Sequence, residues 1–284
     1  MYTRSEGFFK GYQDINLFFQ IWDNPEAQGT VIITHGHGEH SESYHRLIKA
    51  FENDKWSFYG WDLRGHGRSE GRRGYASEFD DYCKDYKIFL RKVFDSEKVK
   101  KGPVILYCHS MGGLIQLKTM LRNHDILCDG IVVSSPLLGL SLPVPIYKSK
   151  GASILNNILP QVTMGNELTN DMLTRDFDVI REYEQDALRH TRMSPGVFLG
   201  ILDSWDYVQL RASELKVPAL FILPENDPVV STPQAKIFYE KISSPKKELF
   251  IYPESKHELI NDINRTTVYA DIKKFLDGIL ESKK

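Results

Sequence analysis

Val104-Ile105-Leu106-Tyr107-Cys108-His109-Ser110-Met111-Gly112-Gly113-Leu114 is the stretch that decides the reading of this chain. Four apolar residues feed into a serine flanked by small residues, and a helix-like run, Leu114 to Leu121, follows. A serine on a tight turn between a buried strand and a helix reads as a nucleophile elbow. Such a turn lifts the serine oxygen clear of the chain. It also leaves the next backbone N–H, that of Met111, free to hold an oxyanion. The usual pattern is Gly-x-Ser-x-Gly, and Cys108 stands where the first glycine is expected. Cysteine is small and mildly apolar, so we read it as a tolerated variant.

Working outward, the chain alternates. Phe8-Phe9 and Leu17 to Trp22 flank a polar turn and predict an opening β-hairpin. Thr30 to Thr34, Trp56 to Trp61, Gly130 to Ser134, Ala219 to Leu223 and Glu248 to Tyr252 are short apolar runs of strand length. Between and after them, Ser43 to Asn53, Phe79 to Phe94 and Val268 to Leu280 carry apolar residues at helical spacing. Buried strands alternating with amphipathic helices predict an α/β fold, a mostly parallel central sheet with helices on both faces. Residues 137–205 break that rhythm. Leu137 to Ile146 is apolar and interrupted by prolines. Ile154 to Pro160 predicts a short helix, and Asp178 to His190 and Val197 to Leu202 predict two more. We therefore expect a core built from residues 1–136 and 206–284. An inserted helical cap, residues 137–205, would sit over the C-terminal edge of the sheet, where open α/β folds bind ligands.

Composition narrows the function classes. The chain has 284 residues, 41% hydrophobic and 26% charged, an ordinary globular balance for one large domain. A net charge of −2 argues against nucleic-acid binding through a basic face. Cys83, Cys108 and Cys128 are too few and too scattered for a disulfide framework. The N-terminal stretch lacks the apolar core of a signal peptide, and no apolar run has the length of a membrane span. The expectation is a cytoplasmic protein that needs no cofactor.

A serine oxygen is a poor nucleophile until a positioned base takes its proton. In elbow enzymes the partners follow in the order serine, acid, histidine. The Ala219–Leu223 strand runs into Pro224-Glu225-Asn226-Asp227-Pro228, and the Glu248–Tyr252 strand runs into Pro253-Glu254-Ser255-Lys256-His257. Both sites lie just past a strand end, as Ser110 does. Asp227 is thus placed to orient His257, and His257 to deprotonate Ser110. Glu225 is the rival acid, and Asp62, after an earlier strand, a weaker one. The second oxyanion donor is expected from His35-Gly36-His37-Gly38, with the backbone N–H of His37 paired with that of Met111.

Four blocks together carry a resemblance: His35-Gly-His-Gly-Glu-His-Ser41, Asp62-Leu-Arg-Gly-His-Gly-Arg-Ser-Glu-Gly71, His109-Ser-Met-Gly-Gly113, and the Asp227 and His257 sites. The chain resembles the α/β-hydrolases of the monoacylglycerol lipase and lysophospholipase group over nearly its whole length, cap included. The resemblance implies an α/β-hydrolase fold. It also implies Ser110, Asp227 and His257 as catalytic residues, and oxyanion N–H groups from His37 and Met111. Asp62 to Gly71 reads as structural. The family often has a small residue where His37 stands, so the imidazole is expected to narrow the site.

The implied substrate is a small lipid ester with one acyl chain. Leu142 and Ile146 are candidates to line its path, and transient contact of the cap with a membrane surface stays open. Three alternatives remain at this point. His35, His37 and His40 also resemble the histidine run of metallo-β-lactamase-type hydrolases and would bind zinc. The same fold hosts carboxylesterases and peptidases, and it also serves as a non-catalytic binding module.

Overall fold

The strands at the centre of the sheet are buried from end to end, which is why they read as unbroken Val, Ile and Leu runs instead of alternating ones. A computed structural model describes every residue except Lys98, 143–145 and Lys284, with the side chains of Lys100, Ile146 and Lys148 also outside the description. In chain order the elements are β1 (Thr3–Lys10), β2 (Asn16–Asp23), β3 (Gly29–Thr34), α1 (His45–Ala50), β4 (Trp56–Trp61), α2 (Asp80–Phe94), β5 (Val104–His109), α3 (Ser110–Arg122) and β6 (Gly130–Ser134). Then follow α4 (Ile146–Ile158), β7 (Met164–Gly165), α5 (Asn170–Leu173), α6 (Phe177–Gln185), β8 (Arg192–Met193), α7 (Pro195–Leu210), β9 (Ala219–Pro224), α8 (Thr232–Lys241), β10 (Lys247–Tyr252) and α9 (Arg265–Ser282).

One eight-stranded sheet runs β1-β2-β4-β3-β5-β6-β9-β10. The opening hairpin pairs antiparallel and joins β4 antiparallel; every other pairing is parallel. Side chains alternate between two cores, as a period of two requires. Ile32, Leu106, Ile131 and Val133 face the core under α2, α3 and α7. Val31, Ile33, Ile105, Tyr107 and Val132 face the one under α1 and α9. The α/β-hydrolase fold is thus the observed one.

Between β6 and β9 the chain leaves the sheet, and here element lengths differ from expectation. The short helix expected at Ile154 to Pro160 is part of a 13-residue α4. The helix expected at Val197 to Leu202 is the 16-residue α7, capped by Ser194, whose hydroxyl accepts from Val197 N–H at 3.3 Å. It runs past residue 205, the expected edge of the cap, and packs on both α4 and α3. Lys118 of α3 pins that contact, donating to Ser204 Oγ at 2.8 Å. No helix among the described residues is long and apolar enough to cross a membrane.

Candidate active site

Parallel strands deliver their C-terminal ends to one rim, and that is where the site residues gather. β5 ends at His109 and Ser110 opens α3. Ser110 has φ of +50°, a left-handed conformation that is strained for a residue with a side chain. Close packing holds the turn. A Cβ on Gly112 would meet Thr34 O at 2.4 Å and His35 O at 2.3 Å, so glycine there lets α3 lie against the end of β3. The Cys108 sulfur sits 3.7 Å from where a Cβ on Gly113 would stand. That is an ordinary van der Waals distance; Cys108 is fully buried in the place of the usual first glycine, its Sγ 3.6 Å from Val132 O. Met111 is the second residue of α3, so its N–H is among the first four of the helix, which have no intrahelical acceptor.

The acid and the base meet by tertiary contact. Asp227 accepts N–H bonds from Val229 at 2.8 Å and Val230 at 3.1 Å through Oδ1. Its Oδ2 lies 2.8 Å from His257 Nδ1, and both side chains are buried. A carboxylate only accepts, so Nδ1 carries the proton and Nε2 keeps its lone pair. Burial opposes the imidazolium form of His257, but the Asp227 charge outweighs it and raises the pKa above the ordinary value. Burial likewise favours a neutral Asp227, and the imidazole and two N–H bonds reverse it, lowering its pKa. Glu225, the rival acid, is exposed. Asp62 accepts the backbone N–H groups of Ser41 and Arg68, each at 2.8 Å, which is a loop-building role.

The loop after β3 lies beside Ser110: a Cβ on Gly36 would stand 3.0 Å from Ser110 Cβ. Glu39 shapes it. Its Oε1 accepts from Gly36 N–H at 2.5 Å and from Tyr44 O–H at 3.0 Å. Burial, reinforced by the nearby Glu258 charge, pushes the Glu39 carboxyl up to about 7. His37 stacks edge-on with His66 and His190, ring centroids 5.4 Å away in each case. Burial brings its pKa down to about 3, so it is neutral.

The zinc alternative finds no support in the geometry. The imidazoles of His35 and His40 are already engaged: His35 Nδ1 bonds Gly36 O at 2.7 Å, its Nε2 accepts Leu63 N–H at 2.9 Å, and His40 Nε2 bonds Asp186 Oδ2 at 2.7 Å. No group of three metal-ligating side chains converges among the described residues. Of the two expected lining residues, Leu142 is 74% exposed and lines a pocket of about 370 Å3 with Leu138, Leu140 and Trp205. The Ile146 side chain, like Val144, lies outside the described residues.

Three further residues crowd His257 without having been singled out by the sequence pattern. His109 packs at a tilt against the His257 ring, centroids 4.7 Å apart, and is kept neutral by burial, which lowers its pKa to about 3. Glu258 and Arg189 form a buried pair at 2.7 Å. Glu258 follows His257 directly, which is the one signal the chain offers for it.

Known proteins place this arrangement in a family. A profile described as Hydrolase_4, serine aminopeptidase S33, matches residues 25–264. A monoacylglycerol lipase of Mycolicibacterium smegmatis is 25% identical over 276 residues, 96% of this chain and 97% of that protein. An uncharacterised abhydrolase domain-containing protein of Dictyostelium discoideum is 27% identical over 90% of this chain, which spans only 27% of that longer protein. The crystal structure of a Paleococcus ferrophilus monoacylglycerol lipase superposes with a TM-score of 0.83 at 25% identity, covering 93% of this chain and 99% of that one. With the profile running from the turn before β3 to the loop beyond His257, the chain belongs to the Hydrolase_4 (serine aminopeptidase, S33) family of α/β-hydrolases.

Proposed function

We propose that this chain is a serine hydrolase that cleaves the carboxylic ester of a single-chain lipid, a monoacylglycerol or a lysophospholipid. His257 Nε2 takes the proton of Ser110, whose oxygen attacks the ester carbonyl. The backbone N–H groups of His37 and Met111 hold the oxyanion, aided by the positive end of the α3 dipole. The imidazolium, stabilised by Asp227, protonates the leaving alcohol. Water then hydrolyses the acyl-enzyme by the same steps in reverse order. The observation that carries this reading is the buried Asp227–His257 bond, on the rim where Ser110 occupies its strained turn.

Two pockets support the lipid part. One has an apolar wall of Leu138, Leu140, Leu142 and Trp205 facing a polar wall of Asp206, Gln209, Ser231 and Gln234, and we assign the acyl chain to its apolar wall. A smaller one, about 190 Å3, mixes Leu168 and Leu173 with Asn166, Asn170, Arg189 and Thr191 beside His37, and we assign the leaving group to it. Residues 137–205 act as the cap over both. On α4 the exposed side chains of Tyr147, Ile154 and Ile158 recur on one face. We assign that face to peripheral contact with a membrane surface, from which the substrate is drawn.

The test pairs a fluorophosphonate label with an ester panel. Mass spectrometry is expected to find the adduct on the peptide holding Ser110, and an adduct elsewhere sinks the serine mechanism. Monoacylglycerols and lysophospholipids are expected to exceed acetyl esters in kcat/KM. Equal rates on acetyl and long-chain esters would make the chain a small-ester hydrolase or peptidase instead.

A further inference from the structure

The loop that carries His257 is not held by the sheet alone. The sheet side reaches it through Ser135 Oγ, which donates to His257 O at 2.9 Å. The inserted segment reaches it at several points. Glu258 N–H donates to Leu173 O at 2.8 Å, Thr174 Oγ1 donates to Asn261 O at 2.9 Å, and Arg175 N–H donates to Asp262 Oδ1 at 3.0 Å. At the centre is Glu258. Its Oε1 accepts from Arg189 Nη2 at 2.7 Å. Its Oε2 accepts from Asn261 Nδ2 at 3.0 Å and from the Tyr183 hydroxyl. The Arg189 guanidinium lies over the Tyr183 ring, 3.6 Å from its centre. Its Nη1 reaches Ser43 Oγ at 3.4 Å.

We propose that Arg189 is a positioning residue for His257: stacked on Tyr183 and paired with Glu258, it sets the aim of the neighbouring imidazole from the inserted segment. The physical argument is one of geometry and charge. An Arg–carboxylate pair that is buried and stacked has one low-energy arrangement, so Glu258 has little freedom. His257 is the preceding residue and has none to spare, because a base misplaced by an ångström loses most of its rate. Burial alone would raise the Glu258 carboxyl; the Arg189 charge reverses this and brings it down to about 2. The pair thus stays ionised and the grip persists across neutral pH. The half of the insertion that carries Tyr183 and Arg189 is a fixed wall of the site.

This inference rests on the reading of His257 as the base, and the experiment separates the two. The parent protein and the variants His257→Gln, Arg189→Lys, Arg189→Met and Arg189→Met with Glu258→Leu are compared in three measurements. These are the rate of fluorophosphonate labelling at Ser110, kcat and KM on p-nitrophenyl butyrate, and thermal unfolding. The double change removes both charges together, so no unpaired carboxylate is left buried. The expected result is KM within about twofold of the parent, with kcat and labelling rate falling together by about 10- to 100-fold in both Met variants. Arg189→Lys, which keeps the charge without the planar stack, is expected between them and the parent. A folded double variant that labels at the parental rate overturns the proposal, and so does a loss confined to KM. If neither Met variant folds, a parental labelling rate in Arg189→Lys overturns it equally. If His257→Gln labels as fast as the parent, the assignment of the base falls and this proposal falls with it. A parent that depends on His257 but not on Arg189 removes this proposal alone.

Discussion

The two halves of the inserted segment are built on opposite principles. The outgoing half, through α4, shows apolar side chains to solvent: Leu142, Tyr147, Ile154, Ile158 and Leu159 are each more than half exposed. The returning half, from α5 to Arg189, leaves Phe177 exposed but turns Thr174, Arg175, Tyr183 and Arg189 inward, and their hydrogen bonds end on the His257 loop. Exposed apolar side chains have no fixed partner and gain only when they meet another apolar surface. Buried ion pairs and hydrogen bonds have one good geometry and lose heavily when it is broken. The first half is therefore suited to capture substrate and the second to hold a catalytic group. On the function proposed above, one inserted segment would serve both ends of the reaction through different forces.

Breaking the core site sets the scale for testing that contrast. Asp227→Asn is expected to lower kcat by about 10⁴, by analogy with the triad aspartate of serine proteases, while Glu225→Gln stays within about twofold. A larger loss in Glu225→Gln would reverse the acid assignment. The pH profile sharpens the same point. Catalysis needs neutral His257, so activity falls as pH drops through a pKa raised above the ordinary imidazole value. Asp227→Asn removes the charge that raises it, so whatever activity remains should keep its acid limb at lower pH.

The outgoing half is expected to act on binding and not on chemistry. Ile154→Ser with Ile158→Ser should weaken sedimentation with phospholipid vesicles by about tenfold or more, since each side chain forfeits on the order of 1 kcal/mol of burial. Turnover of a water-soluble ester should be unaffected. Loss of that turnover would show that α4 touches the chemistry and would blur the contrast.

A smaller effect is expected inside the acyl pocket. In the parent, each added CH₂ should raise kcat/KM roughly fourfold until the pocket is full, from about 0.8 kcal/mol per buried methylene. Leu142→Ser should flatten that rise. An unchanged slope would move the acyl chain to another wall. The least effect of all is expected from chelation. Dialysis against EDTA should leave ester hydrolysis as it was, because in the proposed mechanism side chains and backbone N–H groups supply every step. Loss of activity restored by zinc would return the histidines after β3 to consideration.

Much of this was legible in the chain because the fold writes its site at strand ends. Val104 to Tyr107 and Ala219 to Leu223 are apolar throughout, as strands covered on both faces must be, so the positions of Ser110 and Asp227 just beyond them were readable without coordinates. Glycine at 112 was readable too, since close approach of strand and helix tolerates nothing larger. The insertion was less legible. Its helices carry apolar residues on exposed faces, so periodicity understated α4 and α7.

The residue pattern of the chain carries the apolar strands of the sheet and the expectation that Ser110, Asp227 and His257 stand at their ends. These follow from local pattern: burial dictates residue type, and residue type repeats every second or every third to fourth position. Contact between distant segments sets the rest: the buried bond of Asp227 to His257, the approach of Cys108 Sγ to Val132 O, and the reach of Arg189 to Glu258 from 69 residues away. Those choices depend on where separate segments come to rest against one another. A pairing between distant side chains leaves no period in the chain, because its energy lies in the contact and not in either neighbourhood.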